Sequence, residues 1–172
     1  MSSSGVTNVA GSQSLTILTW PDVMEMVDVI AGQVRNDRLP DVVVGVLRGG
    51  LVPAVLLSHQ LGVRRIRAVE VARTLDNSVN ADKSGTPQVV NPASLGDLTG
   101  HDVLLVDDIA GSGDTLICTV GLLQAAGAQR VRTAVLTVNR ANWHRAQRPA
   151  DVVTYLGHQV GTWVIFPWEA PA

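Results

Sequence analysis

Val103-Leu104-Leu105-Val106-Asp107-Asp108-Ile109-Ala110-Gly111-Ser112-Gly113-Asp114-Thr115 is the stretch from which the rest of the chain can be understood. Its apolar run predicts a strand over Asp102 to Asp107, buried on both faces, that carries two adjacent carboxylates to its carboxyl end. Ligands of open α/β sheets bind at that edge. A small-residue turn from Asp108 to Gly113 then opens into a helix predicted from Asp114 to Ala126 and ended by Gly127. Free backbone N–H groups, the helix dipole and the hydroxyls of Ser112 and Thr115 make an anion site suited to a phosphate. Two acids beside such a cradle suit a ligand that carries both a phosphate and neighbouring hydroxyls, such as a ribose 5-phosphate. The carboxylates accept from the 2′- and 3′-hydroxyls and steady a Mg²⁺ ion through water. Adjacent aspartates alone would equally cap an ordinary turn; the full arrangement is more specific. It has neither the lysine of a nucleotide P-loop nor the spacing of a GxGxxG dinucleotide turn.

Strands and helices alternate around this unit. Upstream, Thr19-Trp20-Pro21-Asp22 starts a helix with Thr19 as N-cap, and Val23, Met26, Val27, Ile30 and Val34 follow at helical spacing. A second buried strand, Asp41 to Leu47, ends in Arg48-Gly49-Gly50 and leads to a helix from Leu51 to Leu61, stopped at Gly62. A strand from about Arg64 to Ala72 precedes a polar stretch, Arg73 to Thr86, of a length that marks a functional loop or a disordered one. Downstream, strands are predicted at Val131 to Val138 and Asp151 to Leu156. The alternation predicts an α/β domain with a largely parallel sheet.

The chain has 172 residues, 46% of them apolar and 16% charged, which fits one globular domain and excludes a disordered chain. With 13 basic against 15 acidic residues it offers no basic surface for nucleic acid. Cys118 stands alone, so no intrachain disulfide forms. No apolar run approaches the roughly 20 residues that span a bilayer, and Met1 to Ser14 fits neither a signal peptide nor an anchor. The expectation is a cytoplasmic domain over 15–172 behind a flexible tail, 1–14, with no membrane partner. His59, His101, His144 and His158 lack metal-ligand spacing, and Cys118 has no partner for nucleophilic catalysis. Lys83 is the single lysine beside 12 arginines. Trp143-His144-Arg145 reads as a surface connection, with the rim of a binding pocket as the alternative.

The strand, the two acids and the loop ending in Gly-x-Thr resemble the signature of the type I phosphoribosyltransferases. Two further motifs extend the resemblance. Val46-Leu47-Arg48-Gly49-Gly50-Leu51-Val52-Pro53-Ala54 is similar to the pyrophosphate loop of xanthine–guanine enzymes. Thr162-Trp163-Val164-Ile165-Phe166-Pro167-Trp168-Glu169 is similar to the carboxyl-terminal base-binding segment of bacterial and archaeal 6-oxopurine enzymes. Together they span Leu18 to Glu169. The resemblance implies a mainly parallel twisted sheet flanked by helices, with a small C-terminal base-binding hood. It implies an enzyme that transfers ribose 5-phosphate from 5-phosphoribosyl 1-pyrophosphate (PRPP) to a nucleobase and releases pyrophosphate. On that reading Asp107 and Asp108 are catalytic and hold the ribose hydroxyls and the Mg²⁺ shell. Gly111, Ser112, Gly113, Asp114 and Thr115 grip the 5-phosphate, and Arg48 and Gly49 the pyrophosphate. Trp163 stacks on the base, the Val164 backbone reads its edge, and Glu169 lies near its exocyclic group. Phe166 and Trp168 are expected to close the core instead. The resemblance further implies a cis peptide at Leu47–Arg48, a homo-oligomer (dimer or tetramer), and a mobile loop over Arg73 to Thr86 that excludes water on closing. Lys83 in that loop could reach pyrophosphate, although a solvated surface lysine is the simpler reading.

Two departures fall on the base side. The family's aspartate that meets the purine N7 is replaced by Gly111, which can do no acid–base work. The family's lysine for the 6-oxo group has no counterpart near Asn139-Arg140, so one of these two residues would have to donate to the carbonyl. Arginine is no neutral replacement for lysine there. The Ser-Tyr pair at the start of the mobile loop is also missing, with Arg73-Thr74-Leu75 nearby. The acceptor is therefore a 6-oxopurine such as hypoxanthine, guanine or xanthine, or a modified heterocycle such as a 7-deazapurine. The competing reading is a non-catalytic PRPP- or nucleotide-sensing regulator on the same fold. The lost acid favours it, and the retained pyrophosphate motif counts against it.

Overall fold

The computed structural model describes residues 15–73 and 87–169. The tail over 1–14 and most of the expected closing loop, with Lys83, lie outside the described residues. In chain order the elements are β1 (Leu15–Ile17), α1 (Trp20–Asp37), β2 (Val42–Leu47), α2 (Leu51–Leu61), β3 (Ile66–Arg73) and β4 (Pro87–Val89), then β5 (Asp102–Ala110), α3 (Asp114–Ala125), β6 (Arg130–Asn139), α4 (Pro149–Val152), β7 (Tyr155–Val160) and β8 (Trp163–Ile165). Six strands form one sheet in the order β4-β3-β2-β5-β6-β7. All neighbours run parallel except β3 and β4. β5 lies between β2 and β6, so both of its faces are covered and its side chains divide between two cores. Leu104 and Val106 pack with α1 and α2, while Val103 and Leu105 pack with α3 on the opposite face.

The start of α1 forms as its sequence predicts. Thr19 N–H donates to Asp22 Oδ2 at 2.7 Å, and Asp22 N–H donates back to Thr19 Oγ1 at 3.4 Å. This reciprocal cap satisfies two otherwise orphaned donors. Thr19→Ala should cost about 1 kcal/mol in chemical denaturation, with kcat unchanged.

Three boundaries differ from expectation. β5 does not turn at Asp108 but continues to Ala110, because β6 is long enough to pair with Ile109 and Ala110 through Thr137 and Val138. The two acids therefore sit within a strand, not on a turn. The last strand of the six-stranded sheet is β7 at Tyr155–Val160, not Asp151 to Leu156. Pro149 and Asp151 start the short helix α4 instead, with Asp151 Oδ2 accepting from Arg148 N–H at 2.9 Å. Lastly, β1 and β8 pair as a separate parallel two-stranded sheet, Leu15 opposite Trp163 and Ile17 opposite Ile165. This small sheet is the hood.

A buried ion pair sits at the sheet edge opposite the acids. Arg132, 3% exposed, donates to Asp102 Oδ1 at 2.7 Å and to the Tyr155 hydroxyl at 2.7 Å. It ties the start of β6 to β5 and β7.

Candidate active site

A cleft of about 510 Å³ opens where β5 hands over to α3. Asp107, Gly111 to Gly113 and Trp163 of the hood line it. Asp107 is 8% exposed. Its Oδ1 accepts from Asp108 N–H at 3.0 Å, and Asp108 Oδ1 accepts from Ile109 N–H at 2.8 Å. Burial, and then the charge of Asp108, hold the Asp107 carboxyl well above the usual carboxylate range. Asp108 is raised too, by burial first, with the charge of Glu169 adding to it. Two acids that resist ionisation together form a site that gains from a cation or from hydroxyl donors.

The Arg48-Gly49-Gly50 turn packs directly on these acids. A Cβ on Gly49 would fall 1.7 Å from Asp108 Oδ2, and one on Gly50 would fall 2.7 Å from the Asp107 Cα and the Val106 carbonyl oxygen. Only glycines let the two motifs meet. Arg48 is exposed beside them, and the Leu47–Arg48 peptide is cis. The loop after β5 is closed by its own side chains. Ser112 Oγ donates to Asp114 Oδ2 at 2.6 Å, and Asp114 Oδ1 pairs with Arg145 at 3.0 Å. The Asp114 carboxylate is thus committed within the protein, whereas Thr115 lines the cleft at the start of α3. Gly113 takes φ +78° with the Trp143 ring against it.

The base-side residues divide. Trp163 is half-exposed over the cleft, whereas Val164 is buried and pairs with Thr16 of the hood sheet. Glu169 Oε2 accepts from Phe166 N–H at 3.0 Å. Asn139 is turned away from the cleft: its Nδ2 donates to Thr162 O at 3.0 Å and its Oδ1 accepts from Ala141 N–H at 3.0 Å. It holds the turn that carries Trp163, and Arg140 is left exposed as the residue able to donate. Phe166 stacks on Trp168 at 4.7 Å, and Trp168 meets Trp20 at 5.8 Å, so both close the core as expected. Trp143-His144-Arg145 is a surface connection, and His144 in it also lines the cleft. Asn142 lines it as well, and nothing in the sequence marks it. Among the described residues no group of three or more His, Cys, Asp or Glu could hold a metal ion without help.

A mainly parallel α/β sheet with a diacid strand end, a following anion cradle and an aromatic hood defines the class of proteins that bind phosphorylated ligands at a strand-to-helix turn. Residues 13–172 match the model of the phosphoribosyl transferase domain, and the chain belongs to that family. It is similar to the xanthine-guanine phosphoribosyltransferase of Cereibacter sphaeroides, 32% identical over 74% of this chain and 68% of the relative. It is also similar to the solved purine phosphoribosyltransferase of Pyrococcus horikoshii, 30% identical with a TM-score of 0.75, covering 92% of this chain and 95% of that one. A Neisseria gonorrhoeae protein solved with bound ppGpp, 22% identical with a TM-score of 0.76 over 92% of this chain and 91% of that one, shares the fold. The chain is an enzyme, a phosphoribosyltransferase that uses PRPP to phosphoribosylate a nucleobase.

Proposed function

We propose that the acceptor is a 6-oxopurine and that the cleft between the β5–α3 turn and Trp163 is where transfer occurs. The supporting observation is that Asp107, the glycine loop after β5 and the Trp163 indole of the hood line one cleft, while the Arg48-Gly49-Gly50 turn packs on the two acids. Both similar enzymes named for a base act on purines. Asp107 and Asp108 accept from the ribose hydroxyls. The backbone N–H groups of Gly111 to Asp114 and the Thr115 hydroxyl take the 5-phosphate, Ser112 and Asp114 keeping that loop in shape. Arg48 and the Gly49 backbone meet the pyrophosphate. Trp163 stacks on the base, with Val164 backbone groups and Glu169 at its edge and Arg140 donating to the 6-oxo oxygen. Catalysis rests on holding the base against C1′ and on stabilising the departing charge, without a covalent enzyme intermediate.

Mg²⁺ fits this donor set. Two carboxylates are too few to cage the ion, but they suit one held through water and the oxygens of PRPP. Bound there, it would neutralise charge on pyrophosphate. No helix of the described residues is long and apolar enough to cross a membrane. We place the enzyme in the cytoplasm as a homo-oligomer, dimer or tetramer, without a nucleic-acid partner; gel filtration with light scattering tests the assembly.

The decisive experiment supplies PRPP and Mg²⁺ with hypoxanthine, guanine, xanthine, adenine, uracil or a 7-deazapurine, and follows pyrophosphate release. Turnover is expected with 6-oxopurines. Tight PRPP binding without turnover of any base would instead support a sensor. Trp163→Ala should raise KM for the base about ten- to a hundredfold, matching the roughly 1–3 kcal/mol of a base–aromatic stack, with PRPP affinity unchanged by calorimetry.

A further inference from the structure

Residues 140–148, the connection between β6 and α4, are fastened onto the phosphate loop. A Cβ on Gly113 would come within 2.8 Å of the Trp143 ring. Arg145 pairs with Asp114 at 3.0 Å. Asn142 stands beside Gly111, its Cβ 3.5 Å and its Nδ2 4.0 Å from where a Cβ on that glycine would lie. His144 sits between two fastened neighbours and lines the same cleft as Trp163. Among the described residues neither the Asn142 amide nor the His144 ring has a hydrogen-bond or ion-pair partner. Two uncommitted polar side chains thus border the cleft, one of them directly beside Gly111.

We propose that Asn142 and His144 read the imidazole edge of the bound purine, and that His144 accepts the N7 proton which residue 111 cannot take. The inference rests on the 6-oxopurine reading. The base attacks as its N7–H tautomer. The N9 lone pair forms the bond to C1′ while the C1′–O bond breaks and its electron pair leaves with pyrophosphate. The positive charge left on the five-membered ring is discharged when N7 gives its proton to a neutral imidazole nitrogen of His144. The imidazolium then returns that proton to solvent, to which His144 is exposed. Asn142 suits both states, since its amide oxygen accepts from N7–H and its NH₂ donates to a bare N7. Among the described residues the charged groups that surround His144 are few. Asp107 of β5 is the other titratable residue lining the cleft. Asp114 of α3 is held by Arg145, Arg140 begins the same connection, and Glu169 lies beside Asp108.

The test compares wild type, His144→Gln, His144→Ala and Asn142→Ala with guanine from about pH 5 to about pH 9, the span in which histidines titrate. Wild-type kcat/KM should fall on the acid side, and His144→Gln should lose that limb together with about a hundredfold in kcat. Added imidazole should restore part of the rate of His144→Ala, which a merely structural histidine would not allow. Asn142→Ala should weaken GMP about tenfold while leaving ribose 5-phosphate affinity unchanged. If His144→Gln keeps both its rate and its acid limb, the proposal fails while the 6-oxopurine reading stands. If wild type turns over no purine, the 6-oxopurine reading fails. GMP affinity then decides the inference, which is overturned if Asn142→Ala binds GMP as wild type does.

Discussion

Asp107→Asn is expected to lower kcat/KM for PRPP about a hundred- to a thousandfold and at the same time to make the free protein more stable. The first effect follows from removing a charged acceptor from a preorganised, buried site. The second follows from linkage. Burial and the neighbouring Asp108 hold the Asp107 carboxyl well above its ordinary range in the folded chain. The folded state therefore binds a proton that the unfolded state has already released, and stability falls as pH rises from the ordinary carboxylate range through the raised folded value. Asparagine has no proton to lose, so the variant should melt above wild type at neutral pH, and the difference should close near pH 3, below the ordinary carboxylate value of about 3.9. Scanning calorimetry at the two pH values, beside a pyrophosphate-release assay, measures both. An Asn variant that melts lower at neutral pH, or that keeps wild-type kcat/KM, would show that the carboxyl is not held as the geometry requires. A related result is expected when Mg²⁺ and PRPP bind together. A cation and hydroxyl donors favour the charged carboxylates, so the acids release protons to the buffer, and calorimetry in buffers of different ionisation enthalpy should show net proton release.

The adjacent glycines should separate catalysis from folding. Gly49→Ala places a methyl 1.7 Å from Asp108 Oδ2, the end of a side chain that can swing away. The chain should fold, with Asp108 displaced by an ångström or more and activity down at least about a hundredfold. Gly50→Ala meets backbone instead, the Asp107 Cα and the Val106 carbonyl oxygen, both 2.7 Å away inside a central strand. That strand cannot yield without breaking its pairing with β2 and β6, so stability should drop by about 1–3 kcal/mol. Urea denaturation and the transfer assay on both variants give the comparison. Equal effects of the two substitutions on folding would mean that the turn does not rest on β5 as described. Gly111→Asp contrasts with both, because among the described residues only Asn142 lies within 4 Å of its Cβ position. That variant should fold normally, and it should turn over N7-bearing purines faster if the missing acid limits the rate.

Much of the site was legible because its parts are local. The strand, diacid and glycine turn lie within thirteen consecutive residues, and both glycine motifs follow buried strands whose apolar runs are hard to misread. The cap at Thr19 and Asp22 is likewise a matter of residues three apart. What escaped depends on partners far along the chain. β1 and β8 are three residues each and carry no periodic signal; they become strands because they pair with each other across some 146 positions, as Thr16 and Thr162 do through their hydroxyls. Asn139 looked like a donor for the base, but the fold brings Thr162 to it and uses up its amide. Arg132 reads as an ordinary polar residue in a strand until Asp102 and Tyr155 close around it.

Sequence by itself determined the sheet's central strands, the place of the glycine turn after β5 and the family, since each rests on the spacing of neighbouring residues and on burial patterns that a short segment already contains. Tertiary structure alone decided that Gly49 and Gly50 press against the two acids, that Trp163 and His144 line one cleft with Asp107, and that Asn142 stands beside Gly111. Those contacts join segments with no local interaction between them. They exist only once burial of the two cores has fixed β2, β5, β6 and the hood in register, so no window of sequence carries them.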